Sequence, residues 1–142
     1  MNIFNSQEEE EITHAISAAE NHTSGEIRIC IEKTCPDDVI SLAAKRFAEL
    51  NMGKTALKNG VLIFLAVDDH KFAIIGDSGI NNKVPENFWE ETKTIMLDLF
   101  KKGQFADGLI AGVERAGLQL KTFFPRSDDD INELPDDIVY IK

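Results

Sequence analysis

Cysteine and basic residues are both scarce in this sequence. Its 142 residues include two cysteines, Cys30 and Cys35, whose spacing matches neither a redox Cys-x-x-Cys pair nor half of a zinc site. We therefore expect two reduced thiols and no zinc. Fifteen Lys and Arg stand against 25 Asp and Glu, which gives a formal net charge of −10. Because nucleic acids and anionic membranes are bound through basic surfaces, we expect neither as a partner.

The sequence also lacks the patterns that are typical of a targeting peptide and of a membrane-spanning segment. The first residues include the acidic run Glu8–Glu11 instead of the basic and then apolar order of a secretory signal peptide. No run approaches the ~20 apolar residues that a transmembrane helix needs. We therefore expect a cytoplasmic protein that is not inserted into a membrane. We also expect a monomer.

The longest apolar run, Val61–Val67, is the segment around which the chain is organised. An uninterrupted run of this kind predicts a strand that is covered on both faces. Phe72–Ile75 are apolar again, and the polar residues between the two runs predict an antiparallel hairpin. The loop Gly76–Gly79, with the sequence GDSG, leaves the second strand at its far end.

Helices and one further strand surround this hairpin. Ser6 and Glu9 predict a capping box that starts the first helix, which ends near Glu20. Apolar and polar residues alternate over Glu26–Lys33, which predicts a strand with one wet face, nearer the sheet edge than the hairpin. Further helices are predicted from Pro36 to Leu50, from Pro85 to Gly103, and from there to Pro125.

These elements predict an α/β fold with a small mixed sheet between helices. A strand, a helix and a second strand in this order form a βαβ unit, whose strands are parallel after a right-handed crossover. Residues 126–142 are acidic and poor in periodicity. They form either a solvated tail or an arm docked through Ile131, Leu134, Ile138 and Tyr140.

The predicted topology brings polar residues from separate elements to one edge of the sheet. If the first two strands are parallel, Glu26 and Asn59 begin them at the same end, and the antiparallel third strand returns Asp77 there. Asp107, at the start of the last helix, could close over that edge. Oxygen ligands of this kind suit a hard divalent cation such as Ca²⁺. The sequence therefore predicts a metal site formed by Glu26, Asn59, Asp77 and Asp107.

Each of these residues also has a structural interpretation. Asp77 between glycines is typical of a turn, Glu26 of a solvated strand edge, and Asp107 of a helix N-cap. A rival metal site is the segment Asp68–His70 at the opposite end of the hairpin. That segment is equally typical of a polar surface turn.

Four segments, taken in order, resemble the motifs of the TPM domain family. Thr23–Ile27 looks like its Thr-Gly-Glu-Ile element, and Asn59–Leu62 like its Arg-Asn-Gly-Val-Leu strand. Gly76–Ile80 is similar to its glycine loop, and Phe100–Leu109 to its Phe-x-x-Gly-x-Tyr/Phe-x-x-Gly-Leu junction. The similarity covers roughly residues 6 to 125. It implies one TPM-like domain over residues 1–125, followed by an acidic tail over 126–142.

The resemblance also implies a three-layer α/β/α sandwich and two kinds of activity. Some family members bind calcium, and plant members of the thylakoid lumen are linked to acid phosphatase activity and photosystem II repair. Glu26, Asn59 and Asp77 fall in the end of the domain that carries the motifs. Lys58 stands where the family usually has Arg. A lysine cannot bind phosphate in the bidentate manner of a guanidinium group.

Three functional hypotheses follow, from different classes. The first is a stand-alone domain that binds a divalent cation, Ca²⁺ above all. The second is a metal-dependent phosphatase that acts on a phosphate ester at the same site. The third is an interaction module without enzymatic activity, which binds a protein partner through its helix faces or tail.

Overall fold

A four-stranded sheet packed between helices forms the core of the protein. A computed structural model describes residues 3–126 and 137–141. Within these ranges the elements are α1 (Ser6–Glu20), β1 (Glu26–Glu32), α2 (Val39–Glu49), a 3-10 turn (Met52–Lys54), β2 (Gly60–Ala66), β3 (Lys71–Gly76), α3 (Ser78–Asn81), α4 (Glu90–Lys101), α5 (Phe105–Phe123) and β4 (Val139–Ile141).

The strand order in the sheet is β3-β2-β1-β4. β1 and β2 are parallel, and β2 and β3 form the antiparallel hairpin, so both predicted strand pairings are confirmed. Every residue of β2 is buried, because neighbouring strands flank it and helices cover both of its faces. β4 adds a further parallel pairing, in which Cys30 lies opposite Val139.

Helices cover both faces of the mixed sheet, although unequally. This arrangement confirms the predicted α/β fold. One face carries Ile27, Ile29 and Ile31 of β1 and packs against α1, α4 and α5. The other face carries Cys30 of β1 and packs mainly against α2 through Ala43. The arrangement is a three-layer α/β/α sandwich.

β1 is an interior strand, so the prediction that it lies nearer the sheet edge was wrong. β4 flanks it on the side away from β2. Two of its charged side chains, Arg28 and Glu32, have ion-pair partners: the carboxylate of Glu32 accepts two bonds from Arg46 of α2, at 3.0 and 2.6 Å. The guanidinium of Arg28 lies 3.9 Å from the carboxylate of Asp137. Polar alternation in β1 therefore reflects paired charges between layers and not an open face.

α2 presents a different stripe to the sheet from the one that its sequence spacing predicts. The spacing predicts Ile40, Ala43, Ala44 and Phe47 as the buried residues. The helix begins after the N-cap Asp38, and of these four only Ala43 is fully buried, while 49% of Ile40 is exposed. Phe47 packs against the sheet as predicted, and three residues that the spacing did not select complete the apolar contact: Val39, Leu42 and the C-cap Leu50.

The capping box of α1 involves the neighbours of the predicted residues. The side chain of Asn5 accepts a bond from the backbone N–H of Glu8 at 2.8 Å, and the Glu8 carboxylate accepts from the Asn5 N–H at 3.1 Å. Ser6 is therefore the first helical residue and not the cap. The predicted capping box is therefore present, but it is shifted by one position.

The C-terminal segment is described only in part. Val139–Ile141 pair with β1, and Ile138 is 9% exposed against the apolar cluster of the α1, α4 and α5 face. Ile131 and Leu134, which the sequence offers as further docking residues, lie outside the described residues. Within residues 3–126 and 137–141, no helix combines the length and apolar character that a membrane crossing requires.

Candidate functional site

Three of the four predicted site residues lie at one edge of the sheet. Glu26 begins β1 directly opposite Gly60, and its N–H donates to the carbonyl of Asn59 at 3.1 Å. The N–H of Asp77 donates to the carbonyl of Gly60 at 3.0 Å from the other side. Glu26, Gly60 and Asp77 therefore form one row across the sheet. The directions of the strands place the three residues at the same end, as the sequence predicts.

The row projects toward the layer that contains α2. Cys30 and Ile75 pack in the apolar cluster of that layer, and Glu26 and Asp77 have the same strand parity as these two residues. The backbone of Asp77 is still extended, with φ −69° and ψ 173°, so the alternation continues to this residue. Two strand spacings, about 10 Å, separate the outer positions of the row. Gly60 between them has no side chain, so nothing from the central position separates the two carboxylates.

The side chains at this edge are largely removed from solvent. Glu26 is 4% exposed and Asn59 is 3% exposed, so the interpretation of Glu26 as a solvated edge residue was wrong. The amide of Asn59 donates to the carbonyl of Ser24 at 2.8 Å. That bond ties the turn before β1 to the start of β2, which fixes the spacing of the two strand ends.

Asp77 combines a capping role with an unsatisfied oxygen. Its Oδ1 accepts a bond from the N–H of Ser78 at 2.7 Å, so the residue is the N-cap of the short helix α3. Its Oδ2 is buried, and no donor in the described part of the chain reaches it. Burying an anionic oxygen without a hydrogen-bond donor is unfavourable in free energy. A ligand bound to this oxygen would offset that cost.

The segment that precedes β2 packs firmly beside this edge. Met52 is fully buried, and Thr55 is 2% exposed. The backbone of Gly79 approaches the segment so closely that a Cβ there would lie 2.3 Å from the carbonyl oxygen of Leu57. Lys58 adopts a left-handed conformation with φ 52°, and its Nζ donates to the carbonyl of Gly53. The ammonium group therefore helps to hold the segment in place.

Asp107 does not join the row, and its predicted position over this edge was wrong. The last turn of α5 lies at the candidate edge, where the carbonyl of Phe124 accepts from Ser24 at 2.8 Å. The first turn lies at the opposite end of the sheet, where the ring of Phe105 packs 6.0 Å from that of His70. Asp107 is exposed in that first turn, and Gln104 is the N-cap, so the N-cap interpretation also fails.

The rival site Asp68–His70 is a structured turn at that opposite end. The carboxylate of Asp69 accepts a bond from the N–H of Cys35 at 2.6 Å, and His70 has a left-handed φ of 54°. All three residues are exposed. Across the described ranges, no group of three or more His, Cys, Asp or Glu side chains is placed to hold a metal ion. A cation at the candidate edge would therefore rely on amide, backbone and water oxygens beside two carboxylates.

Two features of the edge escaped the sequence reasoning. One is Gly60, whose missing side chain opens the space between the carboxylates. The other is Glu20, which is 6% exposed and accepts the N–H of Ile27 at 3.1 Å through its Oε2. Helical spacing offered a signal for Glu20, because it continues the buried positions Ile12 and Ile16 at intervals of four.

Comparisons with known proteins agree with this architecture. A family model described as the TPM domain matches residues 1–119. The NMR structure of the BA42 protein from the psychrophilic bacterium Bizionia argentinensis is similar over 97% of this chain and 95% of that chain, with 46% identity and a TM-score of 0.92. No curated protein matches the chain.

Two more distant structures share the fold. The N-terminal domain of the cg2496 protein from Corynebacterium glutamicum is similar over 87% of this chain and 78% of that chain, with 13% identity and a TM-score of 0.67. The N-terminal domain of a protein from P. gingivalis is similar over 87% and 80%, with 18% identity and a TM-score of 0.70. At these identities the likeness shows the fold alone.

Proposed function

The chain belongs to the TPM domain family, and from that premise we propose that it binds a divalent cation, Ca²⁺ above all, at the row Glu26–Gly60–Asp77. Asn59, which directly precedes β2 beside this row, supplies an amide to the same edge. The proposal does not include Asp107, because α5 carries that residue to the other end of the sheet.

The observation that carries the proposal is the Oδ2 atom of Asp77. It is buried, and no hydrogen-bond donor among the described residues satisfies it. A cation bound to this oxygen would compensate the charge that burial otherwise makes costly. Glu26 brings a second carboxylate to the same row and the same layer.

The donor set fits Ca²⁺ better than the other common metals. Ca²⁺ takes six to eight oxygen ligands in flexible geometry and accepts carboxylates, amide and backbone carbonyls and water. Among the described residues, the edge offers oxygens and no thiolate or imidazole, so the chemistry does not suit zinc or copper. Mg²⁺ demands a near-ideal octahedron and is reluctant to lose its water. We therefore expect a stronger response to Ca²⁺ than to Mg²⁺.

Thermal unfolding with Ca²⁺, with Mg²⁺ and with chelator tests the proposal. A ligand at about 100 times its Kd adds about 2.7 kcal/mol to the free energy of unfolding, which raises the Tm by ~5–10 °C for a domain of this size. Asp77→Asn keeps the shape and the capping oxygen but removes the charge, so we expect it to abolish the Ca²⁺-dependent rise.

Asp107→Asn is the matched control, because it removes an identical charge at the opposite end of the sheet. We expect it to leave the Ca²⁺-dependent rise intact. An equal loss in both variants would mean that the response follows net charge and not a site. No rise in the unmodified protein with either ion would end the proposal.

A metal-dependent phosphatase is the second candidate at the same edge, and it rests on the family resemblance. In that reaction the cation would position the phosphoryl group, and water would attack it. Lys58 would offset the charge of the phosphate, but its Nζ donates to the carbonyl of Gly53 and would have to leave that bond. Hydrolysis of p-nitrophenyl phosphate that requires Ca²⁺ or Mg²⁺ and fails in Asp77→Asn would support this candidate.

A further inference from the structure

A groove runs along the outer surface between α1 and α5, on the face of the sheet opposite to the α2 layer toward which the candidate row projects. Its volume is about 410 Å³, and its walls come from both helices. The two helices are parallel, because the close contact of Gly117 with Ala19 and that of Leu120 with Gly25 place both C-terminal ends together. The groove extends from Glu11 to the end of α1, about 14 Å of helix, and then to His22 in the following turn.

The floor of the groove is apolar and one of its walls is open to solvent. Ala15, Ala18 and Ile110 line it, and none of them carries a polar side chain. Leu118 stands at its side with 59% of its surface exposed, the largest exposed fraction among the large apolar residues of the described chain. Small residues in the floor let another backbone approach, and the exposed leucine supplies apolar area that a partner could cover.

The rim of the groove is acidic. Glu11 of α1 and Glu114 of α5 both line it, together with His14 and His22. Glu8–Glu10 precede Glu11 in α1, and this helix contains no Lys or Arg along its length. The groove therefore combines an apolar floor with two carboxylates and two imidazoles, and the residues that line it include no Lys or Arg.

We infer that this groove is a docking site for a basic amphipathic helix of another protein, with an apolar stripe on the floor and Lys or Arg against the rim. An amphipathic helix in a groove is a common mode of peptide recognition, and charge complementarity selects the sign of its flanks. A second copy of this chain is disfavoured as the occupant, because each copy carries a net charge of −10. The chain's own residues 127–136 are also acidic, without a Lys or Arg.

A designed peptide of Leu and Lys tests the inference. The peptide has about 18 residues, roughly 27 Å as a helix, with Leu on one face and Lys on the flanks. NMR titration of the full chain should perturb the amides of Ala15, Ala18, Ile110 and Leu118 before those of α4. A peptide of the same composition but scrambled order, and one with Glu in place of Lys, should bind at least about tenfold more weakly.

Two variants separate the apolar and the charged contributions of the groove to peptide binding. Leu118→Glu alters an exposed position, so the fold should tolerate it, and it should weaken the Leu/Lys peptide by about tenfold or more. Leu97→Glu on α4 is the matched control, because Leu97 is also exposed, at 37%, but lies away from the groove. Glu114→Lys should weaken the Leu/Lys peptide and strengthen the Leu/Glu peptide.

Several results would overturn the inference. Equal affinity for the ordered and scrambled peptides would mean that net charge alone attracts them. Equal effects of Leu118→Glu and Leu97→Glu, or perturbations that begin on α4, would place the binding elsewhere. A concentration-dependent dimer that Leu118→Glu dissolves would identify a second copy of the chain as the occupant. If millimolar peptide perturbs no amide of the groove, the groove is not a docking site.

Discussion

The ion pair between Glu32 and Arg46 gives the sharpest stability prediction of this structure. The guanidinium donates through Nε to Oε2 at 3.0 Å and through Nη2 to Oε1 at 2.6 Å, which is a bidentate arrangement. The side chains are 14% and 16% exposed, so solvent screens the pair only in part. Because it joins β1 to α2, we expect it to stabilise the interior position of the strand that begins with Glu26.

The expected magnitudes follow from what each substitution leaves behind. Arg46→Met keeps an apolar stem but leaves the Glu32 carboxylate largely buried without its partner, which should cost about 3 kcal/mol, the lower end of the range for a broken buried pair. Glu32→Gln should cost only about 1–2 kcal/mol, because Arg46 still pairs with Glu49 at 2.6 Å. The double variant should cost less than the sum of the two by about 1–3 kcal/mol.

Urea unfolding followed by the fluorescence of Trp89 measures these values, since this is the one tryptophan of the sequence and it is 9% exposed in the folded state. The pair Arg115–Glu91 is the matched control: its atoms are 3.1 Å apart, but its side chains are 33% and 76% exposed. A cycle on the control should give about 0.2–1 kcal/mol and lose most of it in high salt. Equal coupling energies for the two pairs would refute the reasoning from burial.

Three further predictions concern single residues. Burial raises the pKa of the Cys30 thiol from 9.0 to about 12, so the stability that the neutral thiol contributes is complete below pH 9 and is lost as the pH rises toward 12. Urea midpoints measured from pH 8 to 11 should therefore fall more steeply in the unmodified protein than in Cys30→Ala. Equal slopes would contradict this prediction. Gly79→Ala should lower stability by about 1–3 kcal/mol, because its Cβ would lie 2.3 Å from a backbone oxygen, whereas Gly53→Ala, with nothing within 4 Å, should not. Asn5→Ala should cost about 1 kcal/mol in thermal unfolding and Ser6→Ala less than about 0.5 kcal/mol, and the reverse order would restore the cap predicted from the sequence.

The interior position of β1 illustrates why an alternating pattern was misleading. Alternation of apolar and charged residues is the usual sign of a strand with one solvated face. In this chain the charges of Arg28 and Glu32 are paired with residues from α2 and from the C-terminal segment. A pattern records polarity but not the partner that neutralises it, so only the packed structure distinguishes these two cases.

The shift of the first capping box has a simpler cause. Asn5 and Ser6 are both good N-cap residues, and Glu8 and Glu9 follow each of them at the required spacing. Local preference therefore does not choose between the two registers. The structure uses Asn5, whose side chain accepts from the N–H of Glu8.

Several features of this protein were determined by the sequence alone. The buried run of β2, the hairpin with β3 and the presence of one helix before and one after Gly103 follow from periodicity and turn chemistry, which act over a few residues. The meeting of Glu26 and Asp77 at one edge also follows, because strand direction alone brings the ends of adjacent parallel and antiparallel strands together.

Tertiary structure decided the features that depend on how whole elements are oriented. The direction of α5 over the sheet carries Asp107 away from the candidate cation edge, and no residue spacing within the helix encodes that direction. The groove between α1 and α5 exists only because two helices that are distant in sequence pack in parallel. Such long-range placements depend on the sum of many packing contacts, which a local pattern does not contain.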